Sequence, residues 1–426
     1  MILFLVLLIF ISKVALAFIP FVPWQMGPII YQRGLHPYVN IFLTLSIGSL
    51  CIFKWLLNPE HKYAQSRFFR FGVVLISLYL VLITGLQAFF VNTQESFILQ
   101  MAAAVLASFT IFLFGRIIPT SLTPEKFLKY IKNVTLVLCW FSLALLFLSS
   151  GTVFKGTRFI GVFKHIPHMV SAATLACYAI IYFFIQESYS KKRIIINSIH
   201  FLMAFFVLVL TGTRSALASV AIGLLLAAII FPAKSNGIRI LKTAFVITMV
   251  MGTLLFGEMA GTYAIGIATG QKAIAGRSAQ DGVSSRIEEV ERGYEIFKKN
   301  QWLGQGLLSK FSSGSEADVS NYSADKDPHN ILISAGVIGG WGLIAMTTIF
   351  MLALLVAGLK SLKSKSAALK IIAIYTLSQI PLLIIYHLHF SIGGIADRIY
   401  WIVFGYMALK EQHVEVVEIK KKTFKS

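Results

Sequence analysis

Charge is scarce in this sequence. Only 13% of its 426 residues are Asp, Glu, Lys or Arg, against 57% hydrophobic, and the mean hydropathy is +0.78. Soluble chains carry roughly 25% charged residues, so a water-solvated globule is excluded and lipid must be the main solvent. Acids are scarcer than bases, 18 against 38, which leaves a net charge of +20. The excess does not point to nucleic acid, because Lys and Arg fall in short clusters between apolar runs rather than on a soluble module. Cysteine is limited to Cys51, Cys139 and Cys177, each inside an apolar run without CxxC spacing or a nearby His. Neither a disulfide framework nor a thiolate metal site is supported. Barrel strands would show ten-residue alternation, which is also missing. No basic residue precedes the apolar stretch that opens at Ile2, so despite Ala15-Leu16-Ala17 the N-terminus reads as an uncleaved first span.

What is present is a series of apolar stretches, at 1–19, 39–57, 71–90, 97–115, 133–150, 167–186, 194–211, 215–232, 238–257, 330–358, 366–386 and 389–408. A helix needs about 20 apolar residues to cross a bilayer, and lipid leaves a lone strand's amides unsatisfied. The expected fold is therefore an all-α integral membrane protein of about twelve transmembrane helices, one polytopic domain over residues 1–426. Cytoplasmic short loops hold an excess of Lys and Arg. With the N-terminus inside, most basic residues, including the tail 410–426, fall on the cytoplasmic side. The opposite short loops hold Arg33, Lys155, Arg158, Lys164, Arg214 and Arg398. The longest non-membrane stretch, 258–329, falls on that outer side between the ninth and tenth spans. A short amphipathic helix is expected within it at about 285–299. Ser285 and Glu288 form a capping box, Ile287, Val290, Tyr294 and Phe297 make its apolar face, and Glu295 and Lys299 pair on its wet face. Ser309–Ser323, rich in Ser, Gly and acids, reads as mobile.

Cations on the less favoured face need a compensating anion, and Arg stays charged in any setting. Arg214 interrupts two adjacent spans in Thr211-Gly212-Thr213-Arg214-Ser215, where it either snorkels to lipid phosphates or meets a substrate anion. Lys155, Arg158 and Lys164 cluster around Gly156 and Gly161, a set suited to a diphosphate or to lipid headgroups. Arg286 falls in the first turn of the loop helix, where backbone amides also attract anions, unless Glu289 or Glu258 neutralises it. His329, in Asp327-Pro328-His329-Asn330, is either an ordinary interfacial residue or the general base of the region. His165 and His168 lack a carboxylate partner and are weak metal candidates. Asp397 and Arg398, near the last outer loop, read as a self-satisfied pair. Lys13 is the only Lys or Arg placed deep in a span.

Together, RFIGVF at Arg158–Phe163, TGTRSALAS at Thr211–Ser219, SSRIEEVERGYEIFKKNQWLGQGL at Ser284–Leu307 and DPHNILISAGVIGGWGL at Asp327–Leu343 resemble the O-antigen ligase-like superfamily. That superfamily includes lipid A-core ligases and O-antigen or exopolysaccharide polymerases. The resemblance implies a GT-C-like fold with a long periplasmic loop, in the bacterial inner membrane with both termini cytoplasmic. It implies transfer of a glycan from undecaprenyl diphosphate to an acceptor hydroxyl on lipid A-core or on another lipid-linked glycan, without cofactor or metal. The first outer loop, Pro20–Tyr38, indeed has no Asp or Glu, the residues that metal-dependent membrane glycosyltransferases place there. Carried over by motif, Arg214 and Arg286 contact the diphosphate, His329 is the histidine before Asn, and Arg158 opens the earlier loop motif with Lys164 following. Asn330, Asp397 and Arg398 are supporting positions. The chain departs from the motif's Asn-Pro-Asn at Lys164-His165-Ile166-Pro167-His168. A ligase and a polymerase differ only in acceptor. A flippase or other transporter is the alternative of another class, and it predicts broken helices with charges near the bilayer midplane.

Overall fold

The computed structural model describes residues 37–57, 65–91, 97–148, 153–155, 158–163, 166–186, 191–231, 246, 290–307, 330–383 and 395–409. The expected span 1–19, all of 238–257 except residue 246, the capping box at Ser285, the segment Ser309–Ser323 and the tail 410–426 lie outside them. In chain order the helices are α1 (Pro37–Leu57), α2 (Arg67–Phe90) and α3 (Phe97–Phe112). A π-helical turn, Leu113–Ile117, continues α3 into a short α4 (Ile118–Ser121). Next come α5 (Pro124–Leu148), the hairpin β1 (Phe154–Lys155) and β2 (Arg158–Phe159), then α6 (Ile166–Gln186), α7 (Lys191–Leu210) and α8 (Arg214–Ile230). The loop helix α9 covers 290–299, followed by α10 (Ile331–Ser361), α11 (Ala367–Leu383) and α12 (Ile395–Met407).

Among the described residues, six helical stretches are long and apolar enough to cross a bilayer: Arg67–Phe90, Gln100–Ser121, Pro124–Leu148, Ile166–Gln186, Lys192–Leu210 and Ile331–Ser361. The described helices fall on the apolar runs of the sequence, with one instructive difference at α5. It starts at Pro124 rather than near residue 133, because Thr123 caps it through the Lys126 amide at 3.3 Å and Pro124 and Glu125 suit a first helical turn. Phe127, Leu128 and Ile131 then bury inward while Lys126 and Lys129 ride on the same helix instead of a loop.

Burial separates central from lipid-facing helices. On α6, Ala172, Ala173, Ala176, Cys177, Ala179 and Ile180 are wholly buried, so this helix is the centre of the bundle. On α2, Phe69, Val73, Ile76, Leu80, Ile83 and Gln87 bury at helical spacing. Phe71, Leu78, Leu82 and Phe89 on its other side are exposed, as a lipid-facing stripe requires. A polar cluster locks α6, α8 and α11: the Tyr178 hydroxyl donates to the Ser219 carbonyl at 2.7 Å and meets Ser378 Oγ at 2.6 Å, and Gln379 Nε2 donates to Ser219 Oγ. Gly223 leaves the room that the Tyr178 ring occupies.

Hydrogen bonds sort the helix ends into two sets. Ser66 N to Ala408 O (2.8 Å), Tyr406 Oη to Leu122 O (3.3 Å), Ser366 Oγ to Glu125 (2.9 Å) and Lys132 Nζ to Asn197 (3.1 Å) gather one end. There Gln65 Nε2 donates to the carbonyls of Gly115 (2.9 Å) and Gly405 (3.1 Å), closing the gap that the π-helical turn opens. A Cβ on Gly405 would fall on the Gly115 carbonyl and on Pro119. Gly405→Ala is therefore expected to cost about 1–3 kcal/mol by overpacking. Gly85→Ala, whose new methyl would find only Met101 at 4.0 Å, is expected to be neutral. Unfolding midpoints of the two variants in detergent check this pair.

Candidate active site

The opposite end of the bundle carries the hairpin with Lys155 and Arg158 and the turn that opens on Arg214. The hairpin sets Lys155 opposite Arg158 and Phe154 opposite Phe159, with the two rings 5.5 Å apart. Gly161, at φ +56°, turns the chain against Ser142, whose Oγ accepts from the Val162 amide at 3.2 Å. That anchors the hairpin on α5. Arg158 then reaches the tight turn between α7 and α8: its Nε donates to the Thr211 carbonyl at 2.9 Å and its Nη2 to Thr213 Oγ1 at 2.7 Å. Gly212, at φ +62°, makes the turn possible and lies beside the Arg158 side chain.

Thr213 is the N-cap of α8, yet its hydroxyl caps no backbone amide and accepts from Arg158 instead. Arg214 is the first residue of that helix, where free amides and the helix dipole favour an anion. Two motifs separated by more than fifty residues of sequence thus meet through one guanidinium. Lys164, Arg286 and His329 lie outside the described residues. His168 sits in the first turn of α6 with its ring 5.9 Å from Phe163.

Asn330 has a definite structural role. Its Oδ1 accepts from the amides of Leu332 (3.0 Å) and Ile333 (3.1 Å), making it the N-cap of α10. The His-Asn pair therefore reads as a histidine followed by a helix start, a signal visible in the sequence as Asn ahead of an apolar run. Asp397 and Arg398 are both buried, and the Arg398 guanidinium lies 5.4 Å from the Phe114 ring, within the bundle rather than at its rim. The expectation for Lys13 lies outside the described residues. The Asp397 carboxylate supplies a neighbouring counter-charge.

Beyond these residues, α10 is broken. Gly339 (φ −142°, ψ 23°) and Gly340 (φ 66°, ψ −163°) leave the helical region and free several backbone groups. Segment 301–307, just after α9, fills the gap. Gln305 N donates to Val337 O at 2.5 Å, Gly306 N to Ile338 O at 3.2 Å, and Trp341 N to Gln301 O at 2.8 Å. Tyr79 Oη donates to Gly339 O at 2.6 Å, and Gln87 Nε2 to Leu303 O at 2.5 Å and Ile338 O at 2.8 Å. Gly304 and Gly340, both at positive φ, allow the two backbones to touch.

The loop helix α9 is held against the first half of α10 by Phe297. Its ring is buried in the space at Gly336, beside Val337 and 5.1 Å from the Trp341 ring. The expected wet-face pair differs: Glu295 bonds Lys298, at 2.8 Å, rather than Lys299. Lys298 also lies 4.6 Å from the Tyr294 ring, which draws it to this side. The hydrogen bond to Glu295 raises the Lys298 ammonium pKa above its ordinary value.

The Arg158 tie has a measurable size. Thr213→Val and Arg158→Ala, alone and combined, are expected to show a coupling energy of about 1–2 kcal/mol for the charge-assisted bond. Reversible unfolding of the four proteins in mixed micelles reads it.

Residues 199–348 match the family model described as O-Antigen ligase. No curated protein matches the chain. The matched stretch contains the Arg214 turn, Arg286, the His329-Asn330 pair and the break in α10, while Gln87, Arg158 and Arg398 fall outside it. Among the described residues the chain has six helical stretches able to cross a membrane, and its residues 199–348 are similar to the O-antigen ligase family, as the motif resemblance implied.

Proposed function

We propose that the protein is a ligase-type glycosyltransferase that moves an O-antigen or related glycan from undecaprenyl diphosphate to a hydroxyl of lipid A-core. In this reading the chain spans the bacterial inner membrane about twelve times in a GT-C-like arrangement, with both termini cytoplasmic and the Arg158–Arg214 end facing the periplasm. One observation carries it: Arg158 binds the turn that opens on Arg214, which brings the two cationic motifs together at one end of the bundle.

The acceptor oxygen attacks the anomeric carbon as the bond to the diphosphate breaks, with inversion, and His329 takes the hydroxyl proton. Charge grows on the departing diphosphate, and arginines already in place stabilise it more in the transition state than in the ground state. Arg214 and Arg286 make the contacts, with Lys164 adding charge. Arg158 contributes field and, through Thr211 and Thr213, holds the Arg214 turn. A transporter's broken helix exposes carbonyls to its cargo. In α10 the carbonyls of Val337, Ile338 and Gly339 are instead occupied by protein donors, which favours a scaffold over a carrier.

His329→Ala is expected to lower kcat by about 10²–10⁴, the usual range for a general base. Arg214→Lys, which keeps charge but loses paired phosphate contacts, should lower kcat by about tenfold or more. Transfer assays with purified protein and lipid-linked glycan check both, and full activity of folded His329→Ala would remove the base assignment. A deletion strain tests the acceptor. Long glycan accumulating on undecaprenyl diphosphate supports a ligase, whereas accumulation of single repeats would make the protein a polymerase.

A further inference from the structure

Gln87 sits on the apolar α2, only 2% exposed. A buried amide among aliphatic neighbours is costly unless its donors are used. Both hydrogen bonds of its Nε2 go to carbonyls from different segments, Leu303 after the loop helix and Ile338 at the break in α10. Its Oε1 has no hydrogen-bond partner among the described residues. The amide is therefore oriented entirely by the two carbonyls, since the flipped form would set oxygen against oxygen.

We propose that Gln87 is a positioning residue for the transfer reaction: it fastens segment 301–307 to the break in α10 and thereby fixes α9 against the helix that Asn330 caps. The inference rests on the transferase reading. In sequence, Arg286 precedes the described start of α9 by four residues, and His329 precedes Asn330 by one. A shift of α9 along α10 therefore becomes an error between the group assigned to the diphosphate and the group assigned to the proton. Errors of about 1 Å between reacting groups cost up to about a hundredfold in rate.

The chain contains its own control. Gln65 uses the same chemistry, with Nε2 donating to the Gly115 and Gly405 carbonyls, but at the opposite end of the bundle. If Gln87 acts only through stability, removing either amide should have the same kind of effect. If Gln87 positions the site, the two must differ.

The test compares full-length Gln87→Met and Gln65→Met, which keep side-chain length and apolar packing while removing the donors. The probe is the lipid-linked glycan that accumulates in the deletion strain, with lipid A-core from that strain as acceptor. For Gln87→Met, kcat is expected to fall by about tenfold or more while KM for the lipid-linked donor stays within about threefold. Hydrogen exchange at the Gln305, Gly306 and Trp341 amides should rise. Gln87→Asn, which keeps the donors on a shorter arm, is expected to recover part of kcat. Gln65→Met should lose thermal stability and keep kcat.

Wild-type kcat in Gln87→Met overturns the proposal, as does a kcat loss that merely follows the unfolding midpoint in both variants. Unchanged exchange at the three amides also overturns it. If the wild-type protein transfers nothing, the transferase reading falls and takes the positioning role of Gln87 in that reaction with it. The exchange result then still decides, on its own, whether Gln87 fastens the segment.

Discussion

Every backbone carbonyl that leaves its helical ladder inside a bilayer must find a donor from the protein, because lipid offers none. The chain breaks its ladders in at least two places and meets this demand in each with a glutamine. Gln65 serves the π-helical turn at Gly115 and the facing Gly405 carbonyl. Gln87 serves the break at Gly339–Gly340, together with Tyr79 and the amides of Gln305 and Gly306. The first repair lets α3 and α12 come into backbone contact. The second brings a loop into the body of the bundle and makes it a permanent part of the end where the motifs lie.

That arrangement divides labour between rigid and reactive parts. Arg158 ties the hairpin to the α7–α8 turn, Asn330 caps α10, and Phe297 seats α9. Each is a polar or aromatic residue whose partners are protein groups. Two of them adjoin residues to which the proposed reading gives the chemistry: Arg158 holds the turn just before Arg214, and Asn330 follows His329 in sequence. A charge placed for electrostatic stabilisation is useful only if it does not reorganise as the reaction proceeds, and these ties supply that stiffness.

Much of the frame was legible in the sequence because lipid imposes a coarse rule. A run of some 20 apolar residues has few alternatives to a helix, and the described helices fall on those runs. The loop helix was legible for a similar reason, the helical spacing of Val290, Tyr294 and Phe297, but only part of that face is buried: Phe297 is buried, Val290 half-buried and Tyr294 exposed. The Gly339-Gly340 pair was visible, but not what fills the gap, because a pairing between Gln305 and Val337 or between Gln87 and Ile338 leaves no local periodicity. For the same kind of reason the burial of Arg398 was not legible. Residue position along a span says little about which way a long side chain runs, and this one turns inward over Phe114. The wet-face pair on α9 shifted by one residue because the Tyr294 ring offers Lys298 a second attraction.

The separation of Gln87 from Ile338 by 251 residues has a consequence for biogenesis. At typical synthesis rates of about 5–20 residues per second, roughly ten seconds or more pass between the emergence of the amide and of the carbonyl it will meet. Throughout that interval α2 must reside at or near the membrane with an unmet donor, held by water, by the insertion machinery or by a temporary neighbour. At the opposite end Gln65 waits still longer, for a carbonyl 340 residues away at Gly405, so both ends of the bundle take their final shape only once the C-terminal helices are made.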